Sequence, residues 1–427
     1  MKAPKKLLAV LAVFPLAAAA QAPAEPAKPA APATPAIQLY GTFNVNLQWT
    51  KASGATTPTQ SVPGRMSVSP DSSNLGIRGG YDVNEWLTGI YQCESAANPN
   101  GITTTDFCNR NSRLGVNGPW GTLFYGNWDT PFKAASYGTK ADDPFLNTDV
   151  YGYQSIMSSP GFNYRSGGFK TATADAVGGF DVRAQNSVAY WTPKYMGLSG
   201  KAQWAVNQYA GVTPPTPGAP ILNPQLFGAV INYDNGPLSV FGSWERHDDA
   251  FGLSTMNGTT RAFGATAANN TTTASKDQAW RVGAGYQLDS QFGATTASGM
   301  YEYLYFTSST LTAGAIREYK RQAFSVALKH RYGDHELRGS YSWADNGTCT
   351  LEGPAACNTG GYGAQEWRAG YAYYLTKTLQ TYVSWAYLQN KKNGQYTFTI
   401  GGAPAVAGAT PKGADPMAVG LGLRLAF

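Results

Sequence analysis

The chain has 427 residues, of which 43% are hydrophobic, 13% aromatic and 14% charged, with 49 glycines and a formal net charge of +6. That balance is too polar for a bundle of membrane-spanning helices and too poor in charge for a disordered tail. The modest positive charge, unclustered in sequence, gives no case for a nucleic-acid partner. An all-β chain is left, and length does not divide it, because barrels of this size fold as one unit.

The N-terminus carries Lys2, Lys5 and Lys6, then an apolar run from Leu7 to Ala20 and small residues, which predicts a secretory signal peptide over residues 1–20. Residues 21–36 are almost entirely Ala and Pro, a composition that favours extended, solvated backbone and predicts a periplasmic tether. The barrel is expected over residues 37–427. Its first strand alternates Ile37, Leu39, Gly41, Phe43, Val45, Leu47 and Trp49 with Gln38, Tyr40, Thr42, Asn44, Asn46 and Gln48. A period of two gives one apolar and one polar face.

Tight turns are predicted at Asp82 to Glu85, Pro119 to Gly121, Pro193 to Gly197, Asp234 to Pro237, Leu288 to Phe292, Tyr332 to His335 and Leu375 to Thr378. Between them lie polar loops at Lys51 to Asn74, Ser95 to Asn109, Asp129 to Gln185, Ala210 to Pro224, Ala250 to Lys276, Ser308 to Arg317, Thr348 to Tyr362 and Asn390 to Ala414. Short turns alternating with long loops are the connection pattern of outer-membrane barrels. Seven turns and eight loops join sixteen antiparallel strands, a size that leaves an aqueous channel.

The face assigned to lipid carries Tyr301, Tyr303, Tyr305, Trp367, Tyr371, Tyr373, Trp385 and Tyr387, which suits aromatic girdles at the membrane interfaces. An exported chain meets an oxidising compartment, and its four cysteines allow three pairings. The local pairs Cys93 with Cys108 and Cys349 with Cys357 are expected, because each flanks or sits within one loop. Neither pair has C-x-x-C spacing, and the three histidines are scattered, so no metal and no cofactor are expected. The last strand alternates Met417, Val419, Leu421, Leu423 and Leu425 with small residues and Arg424, and ends in Phe427. It resembles the terminal strand of bacterial outer-membrane barrels, which implies recognition of Phe427 by the barrel-assembly machinery.

Together with Leu39-Tyr40-Gly41, the segments Ser73-Asn74-Leu75-Gly76-Ile77-Arg78-Gly79, Gly89-Ile90-Tyr91-Gln92-Cys93-Glu94-Ser95, Ser112-Arg113-Leu114-Gly115-Val116, Gly121-Thr122-Leu123-Phe124-Tyr125-Gly126 and Asn186-Ser187-Val188-Ala189-Tyr190 resemble the trimeric porins of Gram-negative bacteria, nearest to those of β-proteobacteria. The resemblance runs from about Ile37 to Phe427. It implies a homotrimer in outer-membrane lipid and lipopolysaccharide, passing ions and small solutes, with the third long loop folded into the barrel. Asn127 stands where these porins often carry arginine, and the third loop is longer than usual.

By strand parity Arg78, Arg113, Lys201, Arg281, Arg321, Lys329, Arg338, Arg368 and Arg424 point inward, against Glu94, Glu245, Glu302 and Glu366. A basic lumen with weak anion preference follows. The resemblance places Asp142 and Asp143 on the constriction loop, opposite a wall built from Arg78 and Arg113, so that a transverse field filters solutes by charge and size. No catalytic motif is present; His247-Asp248-Asp249 is the one acid-base cluster, and a polar loop edge explains it. A substrate-specific channel, a surface adhesin and a barrel enzyme are the other readings.

Overall fold

The computed structural model describes residues 36–99, 107–146, 152–161, 179–206, 222–257, 262–269, 274–309, 312–398 and 410–427. The expected signal peptide and residues 21–35 of the Ala/Pro segment lie outside the described residues. Strand β1 is Ala36–Ser53; β2 is in two pieces, Val62–Ser69 and Asn74–Asn84; then follow β3 Leu87–Ala96, β4 Ser112–Gly118, β5 Gly121–Asp129, β6 Arg183–Trp191, β7 Leu198–Val206 and β8 Gln225–Asn235. The second half comprises β9 Leu238–Asp248, β10 Ser275–Ser290, β11 Gly293–Ser308, β12 Ile316–Tyr332, β13 in two pieces (His335–Ala344 and Thr348–Leu351), β14 Ala364–Tyr374, β15 Leu379–Asn390 and β16 Asp415–Ala426.

Every strand pairs antiparallel with its neighbours in sequence, and β1 closes on β16 in register from Thr42↔Ala426 to Ser53↔Asp415. The closed wall leaves no strand edge. The backbone of the last residue joins the seam: Phe427 N donates to Gly41 O, and Gly41 N to Phe427 O. Its ring stacks on Phe43 at 5.9 Å, over Gly41, where a Cβ would meet the ring.

The seven short turns fall where the sequence puts them. Two loops differ from expectation. Val62–Ser69, expected inside a loop, is a wall strand paired with β1, and Thr348–Leu351 likewise continues β13 along β12. Each break has a local cause. Pro70 has no N–H for the ladder, and Ser73 Oγ restores the pairing by accepting from Asn44 N and donating to Asn44 O. At the second, Asp345 Oδ1 accepts from Gln322 N and Gly347 N.

Outward faces are apolar. Leu39 is 59% exposed and Leu421 60%, which is surface for lipid rather than for water. Trp280 and Tyr303, Tyr341 and Trp367, and Trp367 and Tyr387 pack ring against ring at 5.6–5.9 Å across adjacent strands, forming part of a girdle. The expected disulfides are both formed, Cys93–Cys108 and Cys349–Cys357.

Candidate functional site in the lumen

The loop between β5 and β6 turns into the barrel and lies on one side of it. Asn232 Nδ2 on β8 donates to Ala135 O at 2.7 Å, Lys140 N donates to Ser239 Oγ on β9 at 3.1 Å, and Ser298 Oγ on β11 donates to Asp142 O at 3.3 Å. On β10 the loop backbone at Lys140 sits directly on Gly285, where a Cβ would collide with the Lys140 carbonyl. Phe145, Tyr153, Ile156 and Met157 are fully buried against this wall, with Tyr396 and Phe398 of the last loop joining them.

Under that loop the inward arginines are paired. Glu302 binds Arg281 at 2.7 Å and Arg321 at 2.9 Å, and its Oε1 also accepts from Ser158 N of the loop at 2.7 Å. Asp181 stands 3.4 Å from Arg281. Arg368 meets Asp143 at 3.4 Å and Glu366 at 3.6 Å and donates to Ser342 Oγ at 2.6 Å. Arg281 is 1% exposed, and Arg321, Arg368, Glu302 and Glu366 are buried with it. These residues face inward, as parity requires, but they are covered by the loop and have no open water in front of them.

Asp143 corrects an expectation. It does not face Arg78 and Arg113; its carboxylate accepts from Phe145 N and Tyr153 N and lies against Arg368, because those loop amides need an acceptor once buried. Asp142 is held by Gly138 N at 3.0 Å, Asp143 N at 3.0 Å and Ser136 Oγ at 3.3 Å. Burial, aided by the charge of Asp143, pushes its carboxyl up to about 7 against those donors. Asp181 is also raised by burial, with Arg281 opposing.

The rest of the inner wall is different. Arg78 on β2 lies over the Tyr40 ring at 4.7 Å and donates to Gln38 Oε1 at 2.9 Å. Arg113 on β4 sits among Phe124, Trp128 and Trp191 at 5.2, 4.6 and 5.0 Å, and Lys201 also lies over Trp191, at 5.2 Å. No carboxylate lies within ion-pair distance of Arg78, Arg113, Lys201, Lys329 or Arg424 among the described residues. Arg338 is the exception on its strand, paired with Glu336 at 2.7 Å. Glu94 is taken by Arg110 at 2.8 Å and by the Tyr40 hydroxyl at 3.0 Å. Stacking on rings holds a guanidinium in place without cancelling its charge.

Two features were missed in the sequence. The aromatic box around Arg113 was available from parity, since Phe124 and Trp128 share a face two turns of the pleat apart. The second is an apolar mass at the extracellular end, where Phe263, Phe306, Tyr319 and Tyr362 pack with Phe132 and Phe180, and the Cys349–Cys357 bridge lies against it. Aromatic residues inside otherwise polar loops were its signal. The suggested acid-base cluster separates: His247 is buried on Glu245 at 2.9 Å, Asp248 pairs with Arg246, and Asp249 caps Ser275 N.

Comparison with known proteins agrees with this architecture. The major outer membrane protein P.IB of Neisseria meningitidis is 26% identical over 217 residues, 49% of this chain and 54% of the relative, so the chain spans about half the length of the curated relatives it matches. The P.IB protein of Neisseria lactamica is 24% identical over 328 residues, covering 69% of this chain and 94% of that one. Among solved structures, an anion-selective porin from Comamonas acidovorans superposes with a TM-score of 0.67 at 18% identity over 92% of this chain and all of its own. The trimer form of OmpT from Vibrio cholerae gives 0.57 at 15% identity over 92% of this chain and all of its own. The Gram-negative porin family matches residues 7–393, and with its closed sixteen-strand wall and inward third loop the chain belongs to that family of outer-membrane proteins.

Proposed function

We propose that the chain forms a water-filled channel for passive diffusion of ions and small hydrophilic solutes, with weak anion preference and no catalytic step. The observation that carries this reading is the division of the inward basic residues. Arg281, Arg321, Arg338 and Arg368 are neutralised by carboxylates, whereas Arg78, Arg113, Lys201, Lys329 and Arg424 are not. The unneutralised set leaves a positive potential on the inner wall, and low-dielectric walls focus it. The selectivity of the Comamonas protein supports the same sign.

The channel is proposed to work as a homotrimer, a reading supported by the trimer form of a structural relative. Its apolar belt would contact lipid and lipopolysaccharide, Phe427 would serve the assembly machinery, and residues 1–20 would be removed on export. Reversal potential of purified protein in a planar bilayer under a potassium chloride gradient tests the proposal. Steps in groups of three with an anion-favouring reversal are expected; a cation-favouring reversal removes the charge assignment, and absence of channels removes the channel. A substrate-specific channel is the second reading, favoured by the aromatic box around Arg113; saturable block by one solute class would select it.

A further inference from the structure

A polar cavity of about 220 Å3 lies between the first limb of the third loop and the inner wall. The loop contributes Gly138, Thr139, Lys140 and Asp142, and the wall contributes Gln287, Thr296, Ser298 and Lys329. Gln287, Thr296 and Lys329 are not a chance grouping. They are direct register partners across β10, β11 and β12, so their side chains form one row on one face.

The charges within the cavity do not cancel evenly. Lys140 Nζ is bound to Asp234 at 3.1 Å, outside the row. The Asp142 carboxylate is occupied by three donors of its own loop. Arg338, the register partner of Lys329 on β13, is paired with Glu336. Among the described residues Lys329 has no ion pair and no side-chain hydrogen bond, so an ammonium with three donors faces a small, partly open space beside the Thr296 hydroxyl.

We propose that this cavity is a resting site for a short hydroxylated carboxylate, with the carboxylate on Lys329 Nζ and the hydroxyl on Thr296 and Gln287. The assignment rests on the channel reading and names a solute class for it. The volume sets the size. At about 30 Å3 per water it has room for roughly seven waters, below the range of about 300 Å3 and upward seen for larger ligands. A two- or three-carbon acid fits. A cation is disfavoured by Lys329, and a bare halide would leave the Thr296 hydroxyl without its share of contacts, whereas the Gln287 amide, which donates to Asp289 Oδ1 at 2.9 Å, keeps a second N–H and its oxygen for a hydroxyl. The site stands next to the loop that narrows the lumen, so a weakly held anion pauses there and leaves, which is what flux through a binding site requires.

The test uses the full-length protein in planar bilayers, first in potassium chloride and then in potassium glycolate raised from micromolar to molar. Glycolate conductance is expected to saturate. Lys329→Gln should raise the half-saturating concentration roughly fivefold or more, and Thr296→Val, which keeps charge and shape, about twofold to threefold. A linear glycolate conductance in a protein that conducts chloride overturns the cavity and leaves the channel standing. Saturation unchanged in Lys329→Gln, or in Thr296→Val, also overturns it. No conductance in potassium chloride overturns the channel itself and the cavity with it.

Discussion

The two sides of the lumen use the same residue type for opposite purposes. On β10 to β14 arginines are buried under the third loop and bound to Glu302, Glu366, Asp143 and Asp181. On β2 and β4 they lie on aromatic rings with no carboxylate in reach. A buried ion pair fixes a loop in position and exposes no charge, and breaking one leaves a costly residue behind. A stacked guanidinium holds its place more weakly and keeps its charge for the solute. The difference shows that an inward arginine count does not measure a lumen's potential; the partner of each arginine does.

Removing the shared acceptor should have the largest effect. Glu302→Gln leaves two buried guanidinium groups short of their countercharge, and a loss of about 3–5 kcal/mol is expected, read as a fall in the temperature at which the folded barrel denatures, with larger current fluctuations as the loop loosens. If the fall is small, the paired side is not what anchors the loop. Gly285→Val forces the Lys140 carbonyl off the wall and should cost about 1–3 kcal/mol, with altered conductance as its signature.

On the open side the order of effects reverses. Arg113→Gln should change stability by less than about 1–2 kcal/mol, the scale of its ring contacts, while moving the reversal potential toward cations; Arg78→Gln should do the same, and the double variant more. A large stability loss without a selectivity change would erase the contrast between the two walls. The smallest effect concerns pH. Because burial pushes Asp142 up to about 7, its carboxyl is neutral below that value and anionic above it. The stability this neutral form contributes is present at lower pH and lost as pH rises through about 7. Anion preference should therefore weaken as pH rises through the same value, and Asp142→Asn should flatten that response.

Much of the wall could be read from the sequence, because alternation at period two and turn residues are local signals. Ile37 to Trp49 and Met417 to Leu425 gave their faces directly. The missed pieces, Val62–Ser69 and Thr348–Leu351, are short, and each is attached through an irregular junction that resembles loop chemistry. The lumen was half legible. Parity places a side chain inside but cannot tell whether a loop covers it, so Arg78 and Arg281 looked alike. What separates them is the path of the third loop, set by long-range contacts such as Lys140 on Gly285 and Ser158 on Glu302, which have no local pattern. Asp143 was misplaced for the same reason: its role is to accept the amides of Phe145 and Tyr153, and sequence does not announce a backbone donor in need.

The seam between β1 and β16 also dictates when the protein can exist. Thr42 bonds beside Ala426, so the first wall strand waits for a partner made at the far end of the chain. Such distant pairing is slow to form, and until it forms both outer strands present bare backbone able to capture other chains. Each intermediate on the way is therefore a growing sheet with two open rims, and the order of synthesis makes escorting the unfinished chain a necessity of its topology.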